Sequence, residues 1–362
     1  MKVVFFSGGI ERSGGTEKVL TQIANGLSGR DYEVIIISLT GKSTPFFHVN
    51  EKIKIMSLES PSLTAHFAQN LRKLFAFVSS EKPDIWIDVD IILSVYSMLL
   101  KAKNRKMFLI SWNHFKFDHQ FERFTFLRKI VRKLTTLFSD GIVVLTDSDK
   151  GRYEDKYRIR GIIKRIYNST EGKAEWICEK EKIVLSVGRL ENVKGYDRLL
   201  EAWEIINKQY SDWRLVIVGE GTQRAALEEY VSTHNLLNVF FEGRKHDLKD
   251  YYRKASIYAL PSRSEGFALV ILEAMTFSVP VVAFSCFEGI DEVLNDGTNG
   301  LLAENGNIGM LADKLSELMS NEEKRTILGE NAYQFAACFD IEKALNEWEG
   351  LFSSLREEAY KL

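Results

Sequence analysis

The sequence predicts an α/β protein made of two doubly wound halves, each built on a parallel sheet. Three observations carry that expectation. Short runs rich in Val and Ile alternate with longer segments of helical period. The short runs are apolar throughout instead of alternating, as in strands buried on both faces. The series of strands also starts twice, and 362 residues are too many for one ordinary core.

In the first half the strand candidates are 2–6 (KVVFF), 33–39 (EVIIISL), 53–58 (IKIMSL), 84–89 (DIWIDV), 107–111 (MFLIS) and 141–146 (GIVVLT). Between the first two, TEKVLTQIANGLS at 16–28 places Val19, Ile23 and Leu27 on one helical face. In the second half the strands are 182–188 (KIVLSVG), 214–219 (RLVIVG), 238–243 (NVFFEG), 257–262 (IYALPS) and 279–284 (VPVVAF). The polar, aperiodic stretch 165–182 reads as the linker. A last amphipathic segment, 340–359, puts Leu345, Trp348, Leu351 and Phe352 on one side. A cleft between two such domains is a common ligand site.

Composition is that of a soluble globular chain, 45% hydrophobic and 27% charged with a net charge of −2, which gives no reason to expect nucleic acid. The charge is unevenly spread. Residues 101–170 hold 17 Lys/Arg against 7 Asp/Glu, an excess of ten that leaves −12 for the rest. Such asymmetry marks either an anionic or membrane partner, or a solvated helix face. Cys178, Cys286 and Cys338 are odd in number and far apart, which suits a reducing cytoplasm. The N-terminus runs directly into a strand without an h-region or cleavage site. No apolar run approaches the ~20 residues of a membrane span, so any membrane contact is expected to be peripheral.

The phosphate signals narrow the chemistry. A dinucleotide enzyme shows GxGxxG after its first strand, whereas SGGIERSGGTEKV has Gly8, Gly9, Gly14 and Gly15 at other spacings. GEGTQR at 219–224 has Arg224 in place of the third glycine, and no GxxxxGK[ST] is present. Gly14 and Gly15 still allow close backbone approach, Thr16 is a candidate cap, and a helix N-terminus there suits an anion. In SVGRLENVKGYDRLLEAW (186–203) a strand ends at Gly188, Arg189 and Lys194 follow, and helix begins near Gly195. That arrangement puts two cations at the carboxyl edge of a sheet, where open α/β folds bind ligands. Arg grips a phosphate bidentately and Lys adds a point charge, although a plain surface salt bridge uses the same residues.

The stretch SEGFALVILEAM (264–275) holds Glu265 in a βα loop and Glu273 on the helix expected from about Phe267. Nearly two turns separate them at ~1.5 Å per residue. They are poorly placed as a glycosidase pair, which flanks one bond, but suit opposite ends of an extended ligand with hydroxyls at both ends.

Together, GGTEKV, WNHF, GRLENVKG, EGFALVILEAM and DGTNGLL resemble the family 4 group of retaining, nucleotide-sugar-dependent glycosyltransferases. The resemblance covers essentially the whole chain and is most like bacterial members that build surface polysaccharide or lipid-linked oligosaccharide. It implies a GT-B fold, two Rossmann-like doubly wound domains facing a central cleft. The N-terminal acceptor-binding domain would span 1–167, the donor-binding domain 168–338, and a C-terminal helix, 339–362, would return to the first domain.

The resemblance also implies roles. Arg189 and Lys194 would hold and stabilise the leaving diphosphate. Glu265 would contact donor-sugar hydroxyls and Glu273 the ribose. Gly266, Phe267 and Ala268 would face sugar and phosphates with their backbone. His114 would lie near the reacting sugar, Gly14 and Gly15 would close over diphosphate and acceptor, and Arg244 would frame the base. Asn168 matches the hinge. Ser278 departs from the family's usual glycine, so the turn there must avoid positive φ or accept strain.

The implied reaction moves a hexose or N-acetylhexosamine from a UDP-sugar, or secondarily a GDP-sugar, to a glycan or lipid-linked acceptor. It would proceed with retention through an oxocarbenium-like transition state and without a metal or other cofactor. Another GT-B enzyme, such as a sugar-nucleotide epimerase, or a non-catalytic nucleotide-sugar-binding subunit, are the competing readings. The DVD at 88–90 resembles a metal-binding DxD but reads as strand-end acids, and the six histidines show no ligand spacing. The basic, aromatic stretch 111–134 is expected to rest on an anionic leaflet near a lipid-linked acceptor.

Overall fold

A computed structural model describes residues 1–117, 125–170, 172 and 179–361. Cys178, part of the expected linker (171 and 173–178) and part of the basic stretch 111–134 therefore lie outside the described residues. The chain divides into two compact units. The first is Met1–Ser169 with Ile341–Leu362, and the second is Thr170–Asp340.

In the first unit the elements run β1 (Lys2–Ser7), α1 (Gly15–Gly29), β2 (Glu33–Ser38), β3 (Lys54–Ser57), α2 (Phe67–Glu81) and β4 (Ile85–Asp88). They continue through α3 (Ser94–Lys103), β5 (Phe108–Trp112), α4 (Thr125–Phe138), β6 (Gly141–Val144), α5 (Asp147–Lys156) and β7 (Ile162–Arg165). The sheet is parallel throughout in the order β3-β2-β1-β4-β5-β6-β7. Consecutive residues of a strand face opposite sides, and Val3 to Ser7 are all buried, so both faces of the sheet are covered. On one face Phe6 packs against Trp86 and Tyr96, with ring centres 5.6 and 5.9 Å away.

The second unit comprises β8 (Ile183–Val187), α6 (Tyr196–Ile206), β9 (Arg214–Val218), α7 (Arg224–Thr233), β10 (Val239–Phe241) and α8 (Lys249–Lys254). After them come β11 (Ile257–Leu260), α9 (Leu269–Thr276), β12 (Val281–Phe284), β13 (Gly300–Ala303), α10 (Ile308–Ser320) and α11 (Glu322–Ala336). Its sheet is also parallel, in the order β10-β9-β8-β11-β12-β13. The final helix α12 (Ile341–Lys361) packs in the first unit. There Trp348 meets Trp112 at 5.0 Å between ring centres, and Arg30 reaches both Glu342 and Glu349. The architecture is the predicted one, two Rossmann-like doubly wound units of the GT-B type.

Several local expectations are corrected. Strands β7 and β13 were not foreseen. β7 is a half-buried edge strand reading IIKR, and β13 is a four-residue run behind a turn. Arg165 therefore ends a strand and does not open a linker. The N-cap position of α1 is Gly14, with no side-chain cap, and Thr16 lies within the first turn. Helices α6 and α9 start one and two residues later than expected, each after a left-handed residue. Ser278 has φ +55°, so this turn accepts the strain that the usual glycine avoids. Among the described residues no helix is long and apolar enough to cross a membrane.

Candidate functional site

The two sheet orders each reverse direction once, between β1 and β4 in the first unit and between β8 and β11 in the second. Ligands of open α/β sheets bind outside the carboxyl ends of strands at such switch points. Arg189 and Lys194 follow β8, and Glu265 follows β11, so all three stand at the second unit's switch point.

Two glycines bring the loops there together. Gly195 has φ +69°, and a Cβ on it would lie 2.1 Å from the Pro261 carbonyl oxygen, so the loop after β8 touches the loop after β11 as only glycine allows. A Cβ on Gly219 would fall 1.8 Å from the Gly188 oxygen, which presses the loop after β9 against the end of β8. Arg263 closes the junction. Its N–H donates to the Val193 carbonyl at 2.8 Å, and its guanidinium donates to the Asn192 carbonyl and grips Asp197 bidentately at 2.7 and 2.5 Å. Burial pushes the Asp197 carboxyl up, and the Arg263 contacts outweigh it, leaving the group below its ordinary range.

The result is a compact polar cluster. Lys194 Nζ donates to Glu265 Oε1 at 2.6 Å, and Ser262 Oγ donates to the same oxygen at 2.6 Å. Glu265 is 10% exposed and Lys194 22%. Arg189 projects from the same loop and is exposed. Next to it, hydrogen bonds from Thr222 and the Arg189 charge hold the Glu191 carboxyl below its ordinary range against the opposing effect of burial.

Gly266, Phe267 and Ala268 lead from Glu265 into α9. The Phe267 ring is buried against Phe339, 6.1 Å between centres, so only this loop's backbone faces outward. Ala268 is left-handed at φ +54°, no side chain caps α9, and the Ala268 carbonyl accepts from the Ile271 N–H at 2.9 Å, so the N–H groups of Leu269 and Val270 are the ones the helix start leaves open. Glu273 sits on α9, where the buried Tyr252 hydroxyl donates to its Oε2 at 2.7 Å. Burial, then the Glu273 charge, push the Tyr252 hydroxyl well above its ordinary range, so it stays a donor. Arg244 lies in the exposed loop after β10. The sequence did not single out Ser262, Tyr252, Arg263 or Glu191. Ser262 alone carried a signal, as a polar residue at the strand end, two positions before the SEGF turn.

The first unit assembles a second group along its own sheet edge. Gly14 and Gly15 open α1 after β1, Asp90 follows β4, and His114 follows β5; these strands are neighbours. His114 is 7% exposed, its ring 4.3 Å from Trp112, and Nε2 has no hydrogen-bond partner among the described residues. Burial lowers its pKa to about 3, so the imidazole is neutral. The adjacent Asn113 donates to the Tyr153 hydroxyl at 2.7 Å. Asp88 of the DVD is wholly buried and accepts from Ser94, Ser97 and the Trp86 indole at 2.7, 2.5 and 3.0 Å. Asp90 pairs with Arg128, so both acids act as strand-end structure. Among the described residues no group of three or more His, Cys, Asp or Glu side chains is arranged to hold a metal ion.

Known proteins share this organisation. The profile "Glycosyltransferase Family 4" matches residues 13–171, and "Glycosyl transferases group 1" matches residues 169–335. An uncharacterized glycosyltransferase of Haemophilus influenzae is 34% identical over 354 residues, covering 97% of this chain and 99% of its own. The chain belongs to the family 4 glycosyltransferases.

Two further relatives of this glycosyltransferase have more specific names. The amylovoran biosynthesis glycosyltransferase AmsD of Erwinia amylovora is 29% identical over 97% of this chain and 99% of its own. The Campylobacter jejuni GalNAc-alpha-(1->4)-GalNAc-alpha-(1->3)-diNAcBac-PP-undecaprenol alpha-1,4-N-acetyl-D-galactosaminyltransferase is 29% identical over 98% and 99%. Among solved structures, sucrose-phosphate synthase from Thermosynechococcus elongatus superposes with a TM-score of 0.84 at 19% identity, covering 99% of this chain and all of that one. S. aureus TarM, in complex with fondaparinux, alpha-GlcNAc-glycerol and UDP, superposes with 0.83 at 17% identity over 97% and 100%. These likenesses establish the fold of the glycosyltransferase.

Proposed function

We propose that this glycosyltransferase moves a hexose or N-acetylhexosamine, with retention, from a UDP-sugar to a glycan or lipid-linked acceptor in bacterial polysaccharide or lipopolysaccharide synthesis. A GDP-sugar is the second choice of donor. The observation that carries the proposal is the Lys194–Glu265–Ser262 cluster at the second unit's switch point, with Arg189 exposed beside it. UDP is favoured because it accompanies TarM in its solved structure, and the acceptor class follows the names of the Erwinia and Campylobacter relatives.

In this reading the acceptor hydroxyl attacks C1 of the donor sugar while the bond from C1 to the β-phosphate oxygen breaks. The departing diphosphate takes the acceptor's proton. Arg189 and Lys194 neutralise the charge that builds on it, as a preorganised electrostatic site does. The Leu269 and Val270 N–H groups at the start of α9 would face the same phosphates. Glu265 accepts from sugar hydroxyls and Glu273 from the ribose, and Arg244 frames the base. Lys194 and Ser262 keep Glu265 oriented before substrate arrives, and Tyr252 does the same for Glu273. Gly14 and Gly15 offer backbone to the acceptor side. Neutral His114, whose buried Nε2 has no hydrogen-bond partner among the described residues, would offer that nitrogen to a sugar hydroxyl. Arg189 and Lys194 supply the charge that a divalent ion supplies elsewhere, so EDTA is expected to leave turnover unchanged. The reaction would take place in the cytoplasm, where nucleotide sugars are held.

Calorimetric titration with UDP, GDP, CMP and NAD in the absence of metal, on wild type and Arg189→Ala, tests the donor assignment. Binding of one nucleoside diphosphate that the variant loses is the expected result. A preference for NAD, or binding indifferent to Arg189, would overturn it. Proton NMR of the first product formed then reads the anomeric configuration, and an inverted anomer or release of free sugar would exclude retaining transfer.

A further inference from the structure

The strands on either side of the second unit's switch point, β8 and β11, part before they end. Each stays paired with its outer neighbour, β8 with β9 as far as Val187 opposite Val218, and β11 with β12 as far as Leu260 opposite Ala283. Between β8 and β11 the ladder stops at Tyr258 opposite Leu185. In that register the next rung would join the Val187 N–H to the Ala259 carbonyl, and the one after it would need an N–H from residue 261. That residue is Pro261, which has none.

Side chains satisfy the groups left over. The Val187 N–H donates to the Tyr258 hydroxyl at 3.3 Å, and that hydroxyl donates to the Val187 carbonyl at 3.1 Å. Ser186 Oγ donates to the Ala259 carbonyl at 2.8 Å. Tyr258 and Ser186 are both buried. Burial pushes the Tyr258 hydroxyl well above its ordinary range, so it remains a donor at neutral pH. A direct backbone rung would pair Val187 with Ala259 without either side chain, but it would draw the strands together where the ligand crevice of such a sheet opens.

We propose, on the reading that Arg189 meets the donor diphosphate, that Tyr258 is its positioning residue: the hydroxyl holds the end of β8 apart from β11 and fixes the backbone from which Arg189 projects. Val187 lies two residues before Arg189, and the stretch between has little slack. The Gly188 N–H donates to the Val218 carbonyl at 3.0 Å and the Leu190 N–H to the Glu220 carbonyl at 2.9 Å. Beside Gly188 sits the buried Tyr196 hydroxyl, 2.9 Å from where a Cβ would be. Without the Tyr258 hydroxyl both Val187 backbone groups lose their partner, and the end of β8 shifts toward β11 to regain a rung, carrying the Arg189 loop with it.

A neighbouring tyrosine serves the other end of the same ligand. The Tyr252 ring lies 5.9 Å from that of Tyr258, but its hydroxyl goes to Glu273, the proposed ribose contact, and not to β8. Tyr258 thus acts on a contact that UDP makes and uridine does not, and Tyr252 on one that both make.

The affinities of Tyr258→Phe and Tyr252→Phe for UDP, by calorimetry, and for uridine, by ligand-observed NMR, test the proposal. GDP and guanosine take their place should the nucleotide titration select GDP. Tyr258→Phe is expected to weaken UDP about tenfold and to leave uridine within about twofold of wild type. Tyr252→Phe is expected to weaken both ligands by the same factor. Ser186→Ala, which removes the tie to Ala259, should repeat the Tyr258→Phe pattern in milder form, and it decides alone if circular dichroism shows Tyr258→Phe to be unfolded. Folded Tyr258→Phe that binds UDP as wild type does, or that loses UDP and uridine by the same factor, overturns the inference while the donor reading stands. Wild-type protein that binds UDP and GDP no tighter than their nucleosides overturns the donor reading, and the inference falls with it.

Discussion

The contact between Lys194 and Glu265 is the place where stability and chemistry are most closely joined, and a double-mutant cycle separates them. The two side chains meet at 2.6 Å, with the carboxylate 10% exposed and the ammonium 22%. A hydrogen bond to a charged group contributes about 1.5–3 kcal/mol, and the partial exposure of Lys194 argues for the lower half of that range. Lys194→Ala leaves a mostly buried carboxylate with Ser262 as its remaining partner in this cluster and is expected to cost about 2 kcal/mol. Glu265→Gln keeps the volume and the Ser262 contact and is expected to cost about 1 kcal/mol. The double variant should recover about 1 kcal/mol of coupling. Calorimetric unfolding reads these costs at about 2–4 °C per kcal/mol for a unit of this size. Turnover is measured well below the unfolding temperature, where each single variant should lose on the order of 100-fold in kcat if the pair stabilises the leaving diphosphate and sugar. A coupling of less than about 0.3 kcal/mol would refute the pairing. Normal turnover in Lys194→Ala, with stability lost, would show the pair to be a strut between two loops and would remove it from the chemistry.

Gly195→Ala should lower the unfolding temperature by several degrees and abolish UDP binding. The new Cβ would lie 2.1 Å from a backbone oxygen that cannot yield unless the loops bearing Lys194 and Glu265 separate; unchanged binding by calorimetry would contradict that geometry. Two buried groups should give opposite slopes of stability against pH. Burial raises the Asp88 carboxyl to about 7, so its effect is to lower stability as pH rises from about 4 to 7, on the order of 4 kcal/mol in total. Burial lowers His114 to about 3, so its effect is to raise stability as pH climbs from about 3 to 6.5. Urea melts across that range should show Asp88→Asn steepening the rise and His114→Gln removing it; identical profiles in both variants would refute the assignment. Trp348→Ala should destabilise the first unit by about 3–5 kcal/mol by emptying the volume against Trp112, as urea unfolding followed by circular dichroism would show.

Much of this protein was legible in the residues because the signals are local. Apolar Val/Ile runs between helical periods specify strands covered on both faces, and the repetition of that series specifies two doubly wound units. The strands missed, β7 and β13, are short, and β7 carries Lys164 and Arg165 at a sheet edge, where burial imposes no pattern. The family motifs placed Arg189, Lys194 and Glu265 in loops at strand ends. Sequence could not show that Lys194 and Glu265 meet, since 71 residues separate them and their contact depends on strand order and on Gly195. The faces of α4 needed the tertiary structure for the same reason. Its sequence mixes basic, apolar and threonine residues with no acid, and only the ties to Asp90, Phe117 and Tyr153 determine which cations face inward. Periodicity is set by neighbours along the chain, so sequence alone determined the elements and their class. Contact between distant side chains is set by how the sheet orders its strands, and only the tertiary structure decided it.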